Sequence, residues 1–252
     1  MARLSGHAVA MVGGLTDHTY VTSSERHVWS CAGRSEGGRV ICTGSGSAWL
    51  ASCLAGAHST AGIVLSVTGW CHQMANRILR PAGVDVSAAR GYGLTYHFWG
   101  RYGRDASGDD TWPELDHCSK LEATAGLHEE GTPFLLGSKP PGGPPPTIPT
   151  RLDRMIDERL GGDYASDKRT RLRHFAAVVE HEQEELVSAF HSKRITPDQY
   201  LERFTRLAAD LFASYERVLG RDDFVRLFGI PPEHALDFLD PEMFRHAHGS
   251  KN

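Results

Sequence analysis

The spacing of apolar positions changes character once along the chain. Up to residue 136 they come in short runs punctuated by glycine, whereas beyond residue 150 they recur at three- and four-residue steps. Short runs of the first kind belong to buried strands and tight turns, and the second rhythm belongs to amphipathic helices.

In the first part, Ala61-Gly-Ile-Val-Leu-Ser-Val67 is a β-branched run that reads as a strand. It ends at Thr68-Gly69 and passes into a helix that begins at Cys71 and that Pro81 stops. Residues 26–31 and 39–43 flank a glycine-containing turn and predict a β-hairpin. A helix is predicted over residues 48–54, and the aromatic-rich residues 93–100 predict another strand.

In the second part, Leu172, Phe175, Val179, Leu186 and Phe190 form a helical stripe that Glu182 interrupts. Thr196-Pro-Asp-Gln opens a second helix with a capping hydroxyl and a proline in the first turn. Its apolar face carries Tyr200, Phe204, Leu207, Leu211, Tyr215 and Val218, and Gly220 ends it. The two helices predict an antiparallel hairpin. Short helices over 222–227 and 231–238 close the bundle, and the last seven residues are expected to fray.

Between the two parts lies Gly137-Ser-Lys-Pro-Pro-Gly-Gly-Pro-Pro-Pro-Thr-Ile-Pro149, which neither a helix nor a central strand accommodates. The expected organisation is therefore α+β. Residues 1–136 hold a small mixed sheet with a central cysteine-bearing helix, 137–150 are a linker, and 151–252 are a helical accessory domain.

Composition narrows the function classes. A formal net charge of -4 over 252 residues, with acids and bases interspersed, offers no attraction to nucleic acid. The five cysteines include no closely spaced CxxC pair, which points to reduced thiols and a cytoplasmic setting. Residues 40–76 carry no Asp, Glu, Lys or Arg, yet their Gly, Ser and Thr content and His58 argue for a buried domain centre over a membrane span. The first residues make a poor match to a secretory signal.

The chemistry centres on Cys71. Unpaired N–H groups and the positive dipole end at a helix start stabilise a thiolate, so its pKa is expected to fall below that of a free cysteine. His97 is the expected acid/base, placed by alternation on one strand face with Thr95 and Trp99. Asp116 is the expected group orienting the imidazole, with His117 and Asn76 as other choices. Trp70, His72 and Asn76 are expected to contact substrate, and the Cys71 N–H to serve as an oxyanion donor. A plainer alternative gives Cys71 to the apolar helix face that it shares with Met74, Ala75 and Ile78.

A helix-initial cysteine followed by a histidine on a neighbouring strand resembles the papain-like cysteine hydrolases, in particular the NlpC/P60 group. Gly69-Trp-Cys-His stands here where that group has Asp-Cys-Ser. The resemblance covers Cys71 to about His97. It implies a thioester intermediate, cleavage of an amide or ester or acyl transfer, a small-molecule or peptide substrate, and no metal or cofactor.

Other constellations are weaker. Cys71, His97, His117 and Cys118 are zinc-ligand types without ligand spacing, and Thr43-Gly-Ser-Gly-Ser47 lacks the lysine of a phosphate-binding loop. Cys31 would be an N-terminal nucleophile only after removal of the first thirty residues. His174, Glu180, His181 and Glu184 read as a solvated helix face. The helical hairpin has more aromatic residues than two helices bury alone, which suggests a docking or dimerisation module. The second function class is accordingly a non-enzymatic binding or scaffold protein.

Overall fold

The computed structural model describes residues 1–11, 15–31, 35–56, 59–104 and 150–248. Asp116, His117, Cys118, His58 and the linker expected over 137–149 lie outside the described residues.

The chain forms an α+β fold with a four-stranded antiparallel sheet of order β3-β2-β1-β4. β1 (Ala2–Ala10) lies between β2 (Asp17–Ser23) and β4 (Arg39–Gly46), and β3 (Val28–Trp29) closes the β2 edge with Trp29 opposite Val21. Alternation along β1 buries Ala2, Leu4 and Ala8 on one face. Gly6, also on that face, sits where an added Cβ would come within 2.6 Å of the Cys42 sulfur and 3.1 Å of Leu79, so only glycine lets the helix layer approach there.

The expected hairpin between residues 26–31 and 39–43 does not form. Both segments contain strands, but each pairs with an N-terminal strand instead. The predicted strand over 61–67 is a series of turns, with Ala61 and Ser66 at positive φ and only an isolated bridge between Leu65 and Gly69. The predicted strand over 93–100 is a helix. In both segments the apolar and aromatic content reports burial and not an extended backbone.

α1 (Ala48–Ala55) forms as predicted, capped by the Ser47 hydroxyl on the Leu50 N–H. α2 (Cys71–Leu79) starts at the cysteine and gives way to a short 3-10 turn containing Pro81. α3 (Tyr92–Trp99) is set between Gly91 at positive φ and Gly100. The C-terminal helices are α4 (Arg151–Arg159), α5 (Ser166–His191), α6 (Pro197–Leu219), α7 (Arg221–Phe228) and α8 (Pro241–His248).

The Thr196 hydroxyl accepts the Gln199 N–H at 3.2 Å, and Gln199 returns a bond to the Thr196 N–H at 2.9 Å, a reciprocal cap at the start of α6. α8 was not foreseen, and the fraying expected from residue 246 begins no earlier than the end of that helix. His248 instead places Nε2 2.9 Å from the Leu65 carbonyl oxygen.

One core unites the bundle with α2 and α3. Trp70, Cys71, Phe98 and Trp99 belong to the same buried cluster as Phe204, Phe212 and Phe238. Phe98 meets Phe204 edge-on at 5.1 Å between ring centroids, and Trp99 meets it at 5.6 Å. The aromatic surplus of the helical hairpin is thus covered from within the same chain. No helix among the described residues is long and apolar enough to cross a membrane.

Candidate functional site

α2 is buried on every side, with all nine of its residues shielded from solvent. Its polar side chains are consequently committed to hydrogen bonds, as buried polar groups must be. Gln73 accepts the Trp70 N–H at 3.0 Å and donates to the Gly100 carbonyl at 2.9 Å. Asn76 accepts the Val86 N–H at 2.9 Å and donates to the Arg101 carbonyl at 2.8 Å. Arg77 donates to the Ala61 carbonyl at 2.7 Å and also reaches the Tyr102 carbonyl.

His72 is committed in the same way. Its Nε2 lies 3.0 Å from the Asp17 carbonyl oxygen, which only accepts, so the proton sits on Nε2. Its Nδ1 is 2.8 Å from the Thr95 hydroxyl. Burial, only partly offset by the Asp17 carbonyl, pushes the ring down to about 4, and the nearby His18 adds to the lowering.

Trp70, His72 and Asn76, expected to contact substrate, are therefore framework: each is at most 1% exposed, and Trp70 stacks on Trp99. The polar groups of His72 and Asn76 hold together loops and helix, which sequence alone does not distinguish from polarity lining a cleft.

The Cys71 sulfur meets a different environment. The Thr19 N–H of β2 and the N–H groups of Cys71 and His72 at the start of α2 face it, with the Thr19 hydroxyl alongside, although that hydroxyl makes no hydrogen bond of ordinary geometry. These groups favour the thiolate, as expected of a helix start. Burial opposes them and wins, because Cys71 is wholly inaccessible and its thiol is pushed up to about 11. This corrects the expectation of a lowered pKa. Cys31, just beyond β3, packs against the same cluster; burial raises its pKa, and the nearby Cys71 raises it further.

His97 is on α3, not on a strand, and its neighbours come from the helical bundle. Its Nε2 is 3.3 Å from the Tyr215 hydroxyl, and its ring packs edge-on against Tyr215 and Phe228. Burial, with lesser contributions from Arg151 and Arg104, lowers it to about 3. None of these contacts joins His97 to Cys71; α3 presents Thr95 to α2 at His72 and turns His97 toward the helical bundle.

β2 adds a buried histidine, His18, that the sequence pattern does not single out and that lies close enough to His72 to act on it. It precedes Thr19 on β2, is 3% exposed, influences His72, and has Nε2 3.1 Å from the Ser30 hydroxyl. The alternation His18, Tyr20, Thr22 ahead of a turn at Ser23-Ser24-Glu25 was the available signal.

Asp17 fixes the start of β2. Its carboxylate, 1% exposed, accepts from Arg90 Nη2 and Arg39 Nη2 at 2.7 Å each and from the Arg90 backbone N–H at 2.9 Å. Burial works to raise its pKa, but the Arg90 hydrogen bonds and the two positive charges hold it below the usual carboxylate range. The same residue's carbonyl anchors His72, so Asp17 ties the strand to the helix that carries the sulfur.

Among the described residues no group of three or more His, Cys, Asp or Glu side chains is gathered so as to hold a metal ion. Compared with protein-family models, with curated proteins and with solved structures, the chain matches none of them.

Proposed function

We propose that this chain is a cysteine-dependent hydrolase or acyltransferase in which Cys71 is the nucleophile and His18 the acid/base. The observation that carries the proposal is a cysteine at the first position of α2, packed beside β2, where main-chain N–H groups of both elements favour a negative sulfur. Such donors do little for a neutral thiol and much for a thiolate or for an oxyanion formed beside it.

Because the resting thiol is protonated, activation proceeds by base assistance, not through a preformed ion pair. The Cys71 proton passes to His18 as the sulfur bonds to the carbonyl carbon of an ester or amide. Imidazolium returns that proton to the departing oxygen or nitrogen as its bond to carbon breaks, leaving a thioester for water or a second nucleophile to cleave. Ser30, 3.1 Å from Nε2 of His18, takes the orienting part expected of Asp116.

The test uses p-nitrophenyl acetate. The expected result is a burst of nitrophenolate with an acetyl group on Cys71, abolished by Cys71→Ser and slowed about 10²–10⁴-fold by His18→Asn. Acetylation spread over other cysteines, or acylation of Cys71 that His18→Asn leaves unchanged, overturns the assignment.

A second function is favoured by one specific observation. Cys71 is a full member of the hydrophobic core with no exposed surface. In a scaffold protein its thiol would be core filling, and it would acquire neither acetyl nor any alkyl label without unfolding.

A further inference from the structure

Buried donors without partners are rare in folded proteins, and three of them line one cavity. The cavity, of about 90 Å³, opens between α3, α4 and α5. His97, Arg104 and Gln183 all border it, and His97 Nδ1, Arg104 Nε and Gln183 Nε2 have no hydrogen-bond partner among the described residues, although the three residues are 8%, 5% and 2% exposed.

The protonation of His97 follows from its other nitrogen. Tyr215 is buried and neutral, and His97 Nε2 is the acceptor its hydroxyl has among the described residues; with the hydroxyl donating there at 3.3 Å, the imidazole proton is on Nδ1. All three unpaired atoms are then N–H donors, so their complement is an acceptor.

The surrounding charge has the same sign. Arg104, Arg151 and Arg173 border the cavity. Arg104 and Arg151 both reach Glu180, at 2.7 and 3.1 Å, and Arg173 engages Asp153 at 2.7 Å. Three guanidinium groups thus border the space, a positive surrounding that favours an anion.

We infer that this cavity binds a compact oxyanion, a phosphate or carboxylate group, held by Arg104 Nε–H, His97 Nδ1–H and the Gln183 amide. Guanidinium and amide N–H groups match such oxygens directly, and an anion at this position would satisfy every unpaired donor at once. The site is independent of the chemistry proposed at Cys71, and it gives His97 a role that the thiol does not.

The test is a titration of the full chain, first dialysed into chloride, with inorganic phosphate and separately with acetate, each against chloride at equal ionic strength. The imidazole ¹⁵N resonances of His97 and the thermal midpoint are followed together. Saturable movement of the His97 resonances with a rise in midpoint is expected for one or both anions, phosphate alone naming a phosphoryl ligand and acetate alone a carboxylate. Gln183→Leu, which leaves no buried polar group behind, should weaken that binding about tenfold or more, and Arg104→Lys should do likewise. No saturation beyond chloride, or saturation that both variants leave unchanged, overturns the inference.

Discussion

Alkylation of Cys71 by iodoacetamide tests the balance between burial and the helix start. With the thiol pushed up to about 11, only about 0.03% is ionised at pH 7.5, against about 10% for a free cysteine of pKa about 8.5. That is roughly a 300-fold deficit in thiolate. A thiolate of higher pKa is intrinsically more nucleophilic, and a Brønsted slope near 0.45 over about 2.5 units returns about 13-fold, leaving about 20-fold slower labelling from ionisation alone. Zero exposure multiplies this by the opening equilibrium of the packing over the sulfur, so the observed deficit should be larger still. Measured by quenched labelling and peptide mass spectrometry against glutathione, the rate should keep climbing with pH well past 8.5. Labelling of native Cys71 as fast as glutathione at pH 7.5, with an apparent pKa below 8.5, would refute the claim that burial outweighs the N–H groups.

The same logic reaches stability through the buried histidines. His72 falls to about 4 when folded from about 6.5 unfolded, so below pH 6.5 the unfolded chain binds the proton first. Its contribution, on the order of 3 kcal/mol, is present above pH 6.5 and lost as pH falls toward 4; urea melts should show this loss, reduced in His72→Gln, and an unchanged acid slope in that variant would count against it. Cys71 acts at the other end, its raised pKa withdrawing on the order of 3 kcal/mol as pH climbs from about 8.5 to 11, and Cys71→Ala should flatten that limb. Gly103→Ala should cost about 2–4 kcal/mol by chemical denaturation, because φ is +86° and the new Cβ would lie 2.6 Å from the Thr68 carbonyl oxygen; a loss below about 1 kcal/mol would contradict that packing. Gln73→Ala strands the Trp70 N–H and the Gly100 carbonyl, at about 1–3 kcal/mol each, and a near-neutral urea midpoint would mean that water replaces both bonds.

Elements whose pattern is local and repeated were legible in the chain. The Thr196 cap and the Gly220 stop set both ends of α6, and the stripe from Leu172 to Phe190 located α5 and its C-terminal end but not its start at Ser166, where no cap signal stands. The sheet was less legible because its register is non-local. Residues 39–43 read correctly as part of a strand, but it runs on to Gly46 and its partner is β1, whose alternation is muted by Ser5, Gly6 and His7. The runs at 61–67 and 93–100 misled because a segment buried on all sides loses its period, and composition alone then speaks for burial and not for conformation.

The candidate site shows the same ambiguity in its polar residues. His72, Gln73, Asn76 and Arg77 make α2 look like the wall of a cleft, yet each reaches a main-chain group of a segment lacking its own regular pairing: Asp17 at the start of β2, Trp70 and Gly100 at helix ends, Val86, Arg101, Ala61 and Tyr102 in loops. A helix sunk in the middle of a fold needs such side chains because the loops around it have carbonyls and N–H groups that no sheet or helix satisfies. Cys71 breaks that row. The other side chains chiefly donate to carbonyl acceptors, whereas the sulfur faces N–H donors, which a neutral thiol accepts only weakly. Valine or alanine would fill the same space but offer those donors no acceptor at all, so sulfur is their better neighbour even as a neutral thiol, and the match improves further when negative charge develops there, on sulfur or on an oxygen bonded to the carbon it attacks.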